Sequence, residues 1–223
     1  TSDAPNTSYC NDTDGGGMSC VGVSSAAPTQ EDGADEAQSA ALEAIANGLV
    51  VRMHDEKWDR MAGLWSQTRQ ARMAEYDKDP TSKSARRAVH DGRAQVAKLL
   101  TTTAGASVPA APTGKYWEEY DNGAKQYVAY AQYQLSPSEV KGLVEQYNHT
   151  ATVLGATVAT VYPMVAWRYP QVDKGAVIVA LDKGPLRDMG LAAQFVILGV
   201  GNDEHALRTV ASDTPLYDAW VTL

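Results

Sequence analysis

The spacing of apolar positions divides the N-terminal half of the chain into a short strand and several helices. Small and apolar side chains recur every three or four positions in residues 35–53, as on the buried face of a helix. Residues 1–17 are polar and glycine-rich, which predicts an irregular, flexible segment. The elements predicted after it are a strand over 18–24, the helix 35–53, an ambiguous amphipathic segment over 58–70, and a helix from position 81 or 82 to about 100.

Alternation of apolar and polar residues then predicts a strand over 125–135, paired with an aromatic segment over 116–120 across an Asp-Asn-Gly turn. Ser136 and Glu139 have the spacing of a capping box, and Pro137 occupies the first helical position, so a helix should begin here. The strand places Tyr127, Ala129, Ala131, Tyr133 and Leu135 on one face, in a mixed pattern typical of a sheet with one face partly solvated. The helix is expected to bury Val140, Leu143, Val144 and Tyr147.

Near the C-terminus, residues 175–201 predict a strand, a turn, one helical turn and a second strand. An apolar run ends at Gly184-Pro185, because proline fixes φ and has no N–H to donate. Leu186 and Leu191 should point inward around Gly190, before a second β-rich run over 195–198.

This pattern resembles the core of a bacterial PDZ domain, over roughly residues 150–223. PDZ domains bind an extended peptide as an added strand and are not enzymes. The resemblance implies a carboxylate loop at 154–158, a groove-edge strand at 157–161 and a groove helix at 216–221. The residues expected to bind a peptide or an added strand are Leu154, Gly155, Ala156, Thr157, Val158, Leu216 and Trp220.

Two positions depart from the PDZ pattern. Ala193-Gln194 replaces the usual Gly-Asp, and the chain ends at Leu223, before the strand that follows the groove helix in the family. A sheet without its last strand exposes backbone that the N-terminal segment of a neighbouring copy could pair with. The alternative interpretation is an unrelated small sheet with glycine turns.

A second resemblance covers most of residues 18–147. The strand Val21-Gly22-Val23-Ser24 before an alanine-rich helix, and the aromatic strand over 127–133, resemble the bacterial outer-membrane lipoproteins and flagellar outer-membrane ring proteins. That family is non-enzymatic and often forms rings or surface structures. The chain shows no evident lipobox, so the resemblance does not extend to lipid anchoring.

The charge distribution argues against nucleic acid as a partner. The formal net charge is −8, and residues 1–51 contain eight acidic residues and no lysine or arginine, so phosphate backbones and anionic lipid should be repelled. No apolar run approaches the length of about 20 residues that spans a bilayer, and no transmembrane segment is predicted.

The two cysteines, Cys10 and Cys20, are separated by a glycine-rich stretch that can close into a loop. A disulfide would indicate an oxidising, extracytoplasmic compartment, whereas free thiols would indicate the cytosol. The disulfide is favoured, since two exposed thiols this close in sequence oxidise readily. A zinc site would need further ligands that the sequence does not supply.

Candidate catalytic chemistry is sparse. The four histidines have no metal-binding spacing, and neither a nucleophile elbow nor a phosphate-binding loop is present. Residues 11–15 have only a faint likeness to a calcium loop, and Glu118-Glu119 fits a solvated rim better than a catalytic carboxylate pair. We therefore expect no catalytic residues, no metal and no cofactor.

The aromatic residues are the most distinctive side chains. Tyrosine occurs 11 times and phenylalanine once, and six aromatic residues fall within 116–133. Tyrosine and tryptophan suit interfaces because they combine a large contact area with a polar group. The candidate interface residues are Tyr116, Trp117, Tyr120 and Tyr130, and a half-exposed sheet core is an equally good interpretation.

Together these observations predict an α+β fold. A flexible segment at 1–17 precedes an α+β domain at 18–148, a sheet with two packed helices, and a small PDZ-like, partly open β-barrel at 149–223. The predicted protein is a non-enzymatic structural protein, extracytoplasmic and bacterial, that polymerises into a ring, sheath or filament through strand addition. The alternative is a periplasmic adaptor whose groove binds peptide C-termini.

Overall fold

Two open antiparallel sheets and five α-helices make up the part of the chain described by the computed structural model. That part comprises residues 7–53, 56–79, 82–102, 105–121, 125–172, 175–197, 207–209 and 217–219. In chain order the elements are β1 (Tyr9–Thr13), β2 (Gly17–Val23), α1 (Gln30–Met53), α2 (Glu56–Lys78), α3 (Lys83–Thr102), β3 (Gly114–Asp121), β4 (Lys125–Leu135), α4 (Pro137–Asn148), β5 (Thr150–Val153), β6 (Ala156–Thr160), β7 (Ala176–Leu181), α5 (Pro185–Asp188), β8 (Val196–Ile197), β9 (Leu207–Thr209) and β10 (Tyr217–Ala219).

The first sheet has the strand order β1-β2-β4-β3, antiparallel throughout. Its strand β1 corrects the prediction of an irregular segment over 1–17, because residues 9–13 pair in register with β2. A 3₁₀ turn at Asp14–Gly16 closes this hairpin. Hairpin pairing with β2 and the Cys10–Cys20 disulfide order a segment whose composition alone is typical of a loop.

Helix α1 lies directly on the first sheet, where Gly22 of β2 faces it. A Cβ at Gly22 would overlap the backbone of Ala37 and Ala41, so the missing side chain sets how closely helix and strand approach. Helices α2 and α3 pack against α1, and α3 also contacts the 3₁₀ turn at Pro163–Trp167. Of the two helices expected to pack on the sheet, α1 therefore does so, whereas α3 packs on α1 and α2.

Two helices extend beyond their predicted ends. The Thr29 hydroxyl accepts a hydrogen bond from the Asp32 backbone N–H at 3.1 Å, so α1 begins at Gln30 rather than Asp35. The ambiguous segment 58–70 belongs to α2, which buries Trp58, Met61 and Trp65 at helical spacing. No helix in the described residues combines the length and apolar character needed to cross a membrane.

The predicted limits of β4 and the predicted start of α4 are confirmed. The side-chain oxygen of Ser136 accepts from the backbone N–H of Glu139, whose carboxylate accepts from the backbone N–H of Ser136 at 2.7 Å. The Ser136 hydroxyl also donates to Glu139 Oε2 at 2.6 Å. This hydrogen bond, together with the one from the Ser136 backbone N–H, lowers the pKa of the Glu139 carboxyl because both favour its charged form.

The second sheet has the order β5-β6-β7-β8. The predicted strand, helical turn and strand over 175–198 are present as β7, α5 and β8. Leu186 and Leu191 are buried as predicted. They form a small apolar cluster with Ala156, Ile178 and Ile197. Within the described residues these strands form an open sheet, and β9 and β10 a separate antiparallel pair, rather than a closed barrel.

A larger hydrophobic core joins residues from both sides of the predicted boundary at 148/149. Tyr162 is fully buried, and its hydroxyl donates to the Ala46 carbonyl of α1. Its ring stacks on Trp65 with centroids 5.6 Å apart, and Tyr147 packs edge-on at 5.0 Å. The segment that follows β6 therefore packs among the helices of the N-terminal part.

Candidate functional site

Strand β3 is an outer strand of the first sheet. It pairs with β4 over its full length, from Gly114 opposite Gln132 to Asp121 opposite Lys125, without a bulge. No other strand of the described chain pairs with its second edge. An unpaired edge presents backbone N–H and C=O groups that can bind an added strand.

Three of the four predicted interface aromatics are exposed on this strand. Tyr116 is 46 % exposed, Trp117 54 % and Tyr120 42 %. The fourth, Tyr130, lies on β4 and is buried beneath Tyr116, whose ring stacks on it at 4.3 Å with an interplanar angle of 7°. Tyr130 thus supports the exposed ring rather than offering a surface of its own.

The side chains of β3 alternate between the two faces of the sheet. Trp117 is paired with Ala129, which lies beside Gly33 of α1, so Trp117 belongs to the face that bears the helix. Tyr116 is paired with Tyr130 on the opposite face. Lys115, Trp117 and Glu119 therefore share the helix-bearing face, while Tyr116, Glu118 and Tyr120 share the other. This alternation separates Glu118 from Glu119 and argues against a catalytic carboxylate pair.

The tyrosines on the second face surround the Glu118 carboxylate. The Tyr120 hydroxyl donates to Glu118 Oε2 at 2.6 Å, and this hydrogen bond raises the pKa of the Tyr120 phenol. Burial raises the pKa of Tyr130 to about 12, with Glu118 adding to the effect. Burial also raises the pKa of Tyr116, with contributions from Tyr9 and Glu118. The face therefore keeps its phenols neutral beside one carboxylate.

Alkaline titration tests this arrangement. The folded-state pKa of Tyr130, about 12, lies above the ordinary value of 10. Its stabilising contribution is therefore complete below about pH 10 and is lost as the pH rises towards 12. We expect a Tyr130→Phe variant to show a shallower fall in the free energy of unfolding across this range, measured by urea denaturation. An unchanged slope would show that Tyr130 is not the group responsible.

The residues assigned to a PDZ-like loop form a tight hairpin. Leu154 and Gly155 have φ angles of 49° and 83° and make the two-residue turn between β5 and β6. The Gly155 carbonyl accepts from the Asp182 N–H at 2.8 Å, and a Cβ at Gly155 would come within 2.9 Å of the Lys183 carbonyl oxygen. The turn is therefore packed closely on the segment after β7.

The strand expected at the edge of the groove is internal. Ala156, Thr157 and Val158 lie in β6, which is hydrogen-bonded to β5 on one side and β7 on the other. The groove-edge position is therefore wrong for β6, because both its edges are already paired, and β5 is the outer strand.

The helix expected over 216–221 is also wrong where it can be compared. Tyr217–Ala219 is a strand paired antiparallel with Leu207–Thr209, whereas the PDZ resemblance implied a helix there. Leu216 and Trp220 lie outside the described residues.

The predicted disulfide between Cys10 and Cys20 is present. The two residues are directly opposite each other in the β1–β2 pair, with their Cα atoms 4.0 Å apart. The bond fastens β1, the second outer strand of this sheet, to β2. Asp12, in the segment with a faint likeness to a calcium loop, pairs with Arg52 at the end of α1.

Metal-binding chemistry is not evident in the described residues, which contain no group of three or more His, Cys, Asp or Glu side chains able to share an ion. His90 is exposed and lies 3.3 Å from the Asp91 carboxylate, and His149 is exposed at the end of α4. His54 and His205 lie outside the described residues.

A cleft of about 460 Å³ lies between the start of α1 and α3. Its walls carry both acidic and basic side chains, including Asp32, Asp35 and Arg86. Within it Arg93 lies 3.2 Å from Glu36, which also accepts a 2.6 Å hydrogen bond from Ser25. Arg93 and Glu36 are thus paired with each other, which indicates a structural role for these two side chains.

No protein-family model, curated protein or solved structure matches this chain. The residues along the outer edge of β3 therefore provide the main evidence for function. The sequence alone pointed to the aromatic residues of β3 as interface residues, but not to Lys115 and Glu119. Their importance depends on β3 being an outer strand.

Proposed function

We propose that this chain is a non-enzymatic structural protein whose copies assemble through strand addition into a ring, sheath or filament. The observation that carries the proposal is the outer edge of β3, which no strand in the described part of the chain pairs with. This edge presents eight residues, with exposed aromatic side chains on both faces. Tyrosine and tryptophan are enriched at protein interfaces, and backbone hydrogen bonds supply affinity when a strand is added.

The form of this edge supports the assignment. Proline or a bulge often prevents another strand from pairing with an edge that must stay unpaired. β3 contains neither. Its charged residues are of both signs, which favours a specific partner over general repulsion. Trp117, at the middle of the strand, is the most exposed of its aromatic residues and would be desolvated by an added strand.

The proposed location is extracytoplasmic, in the periplasm, on the outer-membrane surface or outside the cell. The Cys10–Cys20 disulfide supports it, because such bonds persist in oxidising compartments. The acidic N-terminal part supports a protein partner rather than nucleic acid.

The alternative is an adaptor that binds peptide C-termini through the PDZ-like part. The observation in its favour is the outer position of β5 (Thr150–Val153), beside the Leu154-Gly155 turn. A peptide would then add to β5 rather than to β6. This edge is only four residues long and offers fewer backbone hydrogen bonds than β3.

Electron microscopy and light scattering of the purified protein test the assembly proposal. We expect ordered particles far larger than the 23.9 kDa chain. A Trp117→Lys variant should reduce them to small species, because it replaces the large aromatic contact at the middle of the strand with a charge that an added strand would have to desolvate. Val51→Lys is the matched control, since Val51 is 68 % exposed on α1, away from the edge. Monomers of the unmodified protein at every concentration would refute assembly, and binding of C-terminal peptides by such monomers would favour the adaptor.

A further inference from the structure

The sequence of β3 is complementary to itself when read in the opposite direction about Trp117. Lys115 and Glu119 lie two positions on either side of Trp117, on the same face of the strand. Tyr116 and Glu118 flank it on the other face. A second copy running antiparallel would therefore present opposite charges and matching polar groups at equivalent positions.

We propose that two copies of this chain pair through their β3 edges around a two-fold axis at Trp117. This inference rests on the proposed assembly function and names its partner and register. In this arrangement Lys115 of each copy lies opposite Glu119 of the other, so the two-fold axis gives two equivalent Lys115–Glu119 contacts. Residues directly opposite in an antiparallel pair have Cβ atoms about 4.5–5.5 Å apart, so both ion pairs can form.

The environment of these side chains suits the contact. Lys115 and Glu119 are exposed, as is Trp117 between them. Glu119 already lies 3.2 Å from Lys125 of its own chain, and both side chains of that pair are largely solvated. Lys115 of the second copy would give this carboxylate a second cation, while the two Trp117 rings meet at the axis.

The opposite face fits as well. Tyr116 lies across from Glu118 of the second copy, where a phenol can donate to a carboxylate. Tyr120 lies across from Gly114, which has no side chain to obstruct the ring; an aromatic residue covering a cross-strand glycine is a known stabilising pair in sheets. All three aromatic residues exposed on β3 would thus gain a contact.

The neighbouring registers are less favourable. A shift that places Lys115 opposite Asp121 of the second copy also places the two Glu118 side chains opposite each other. Like charges in that position are destabilising. The shift in the other direction centres the pair on Tyr116 and removes the Lys115–Glu119 contact. Trp117 is therefore the residue expected at the axis.

The symmetry of this contact limits what it can build. An isologous interface closes after two copies, so the dimer would be the unit of any larger assembly. A ring or filament would then use another outer strand, such as β1 or β5.

Cysteine cross-linking locates the axis directly. The chain has two cysteines, and both are held in the disulfide, so Trp117→Cys introduces a single free thiol. We expect mild oxidation to give a covalent dimer, detected by non-reducing mass spectrometry. Lys115→Cys is the matched control, on the same strand and face. The two chains should not cross-link through position 115, because the two residues at that position lie on opposite sides of the axis.

Charge reversal tests the register without removing Trp117. Lys115→Glu should raise the dissociation constant of the dimer, measured by sedimentation velocity, at least about tenfold. The reason is that two attractive ion pairs become repulsive. The double variant Lys115→Glu, Glu119→Lys restores opposite charges and should recover most of the affinity.

The outcomes separate this inference from the proposed function. Large assemblies that form equally well with Lys115→Glu, and no Trp117→Cys dimer, would overturn the β3 pairing while supporting assembly through another edge. Dimers that are weakened by charge reversal but never form larger assemblies would support the β3 pairing and refute the proposed ring, sheath or filament. Monomers alone would overturn both.

Discussion

A Gly22→Ala substitution is expected to destabilise the fold by about 3 kcal/mol or more, through a single added methyl group. Gly22 lies in the middle of the first sheet, between β1 and β4, and α1 crosses it at backbone contact distance. The new Cβ would overlap the Ala37 carbonyl and the Ala41 amide. Backbone atoms of a buried helix cannot turn away as a side chain can, so α1 would have to move off the sheet.

Urea denaturation followed by circular dichroism measures this effect. Gly63→Ala on α2 is the matched control, because a Cβ there meets nothing within 4 Å. That change should stabilise the protein by about 0.5–1 kcal/mol, through better helix propensity and a less flexible unfolded chain. Equal unfolding midpoints for the two variants would contradict the close approach of α1 and β2.

Elements with a local signal could be predicted from the sequence. The alternation over 125–135 gives β4 its observed limits, and the Ser136–Glu139 capping box gives the start of α4. Gly184-Pro185 marks the end of β7 and the start of α5. At each of these positions, one or two residues constrain the backbone by their own chemistry.

Elements that depend on pairing with another strand could not be predicted in this way. β1 is polar and owes its conformation to pairing with β2 and to the disulfide. The strand Tyr217–Ala219 forms against Leu207–Thr209, where the PDZ resemblance implied a helix. The start of α1 had a local signal, the Thr29–Asp32 pair, but the apolar periodicity begins later and obscured it.

The candidate site shows the same division. The number of tyrosines pointed to an interface, but it did not show that Tyr130 lies beneath Tyr116. The complementarity of Lys115 and Glu119 has meaning only once β3 is known to be an outer strand. Sheet order, which is a property of the whole chain, therefore decides which of the aromatic residues can contact a partner.

The other residue on which the fold depends strongly is Glu43 of α1, whose side chain is 3 % exposed. Its carboxylate pairs with Arg69 of α2 and lies 3.4 Å from Arg93 Nε of α3. Arg93 reaches Glu36 as well, and Arg69 lies over the Trp167 ring at 5.7 Å. One carboxylate thus connects the three long helices and the turn that follows β6.

We expect Glu43→Ala to cost about 3 kcal/mol in free energy of unfolding, because it leaves two partly buried guanidinium groups without their shared counterion. Since Arg69 would no longer be held over Trp167, the fluorescence of the folded variant should change too. Glu31→Ala is the control: it removes an exposed carboxylate from the first turn of the same helix and should cost less than about 1 kcal/mol. Similar losses for the two variants would show that Glu43 does not connect the helices.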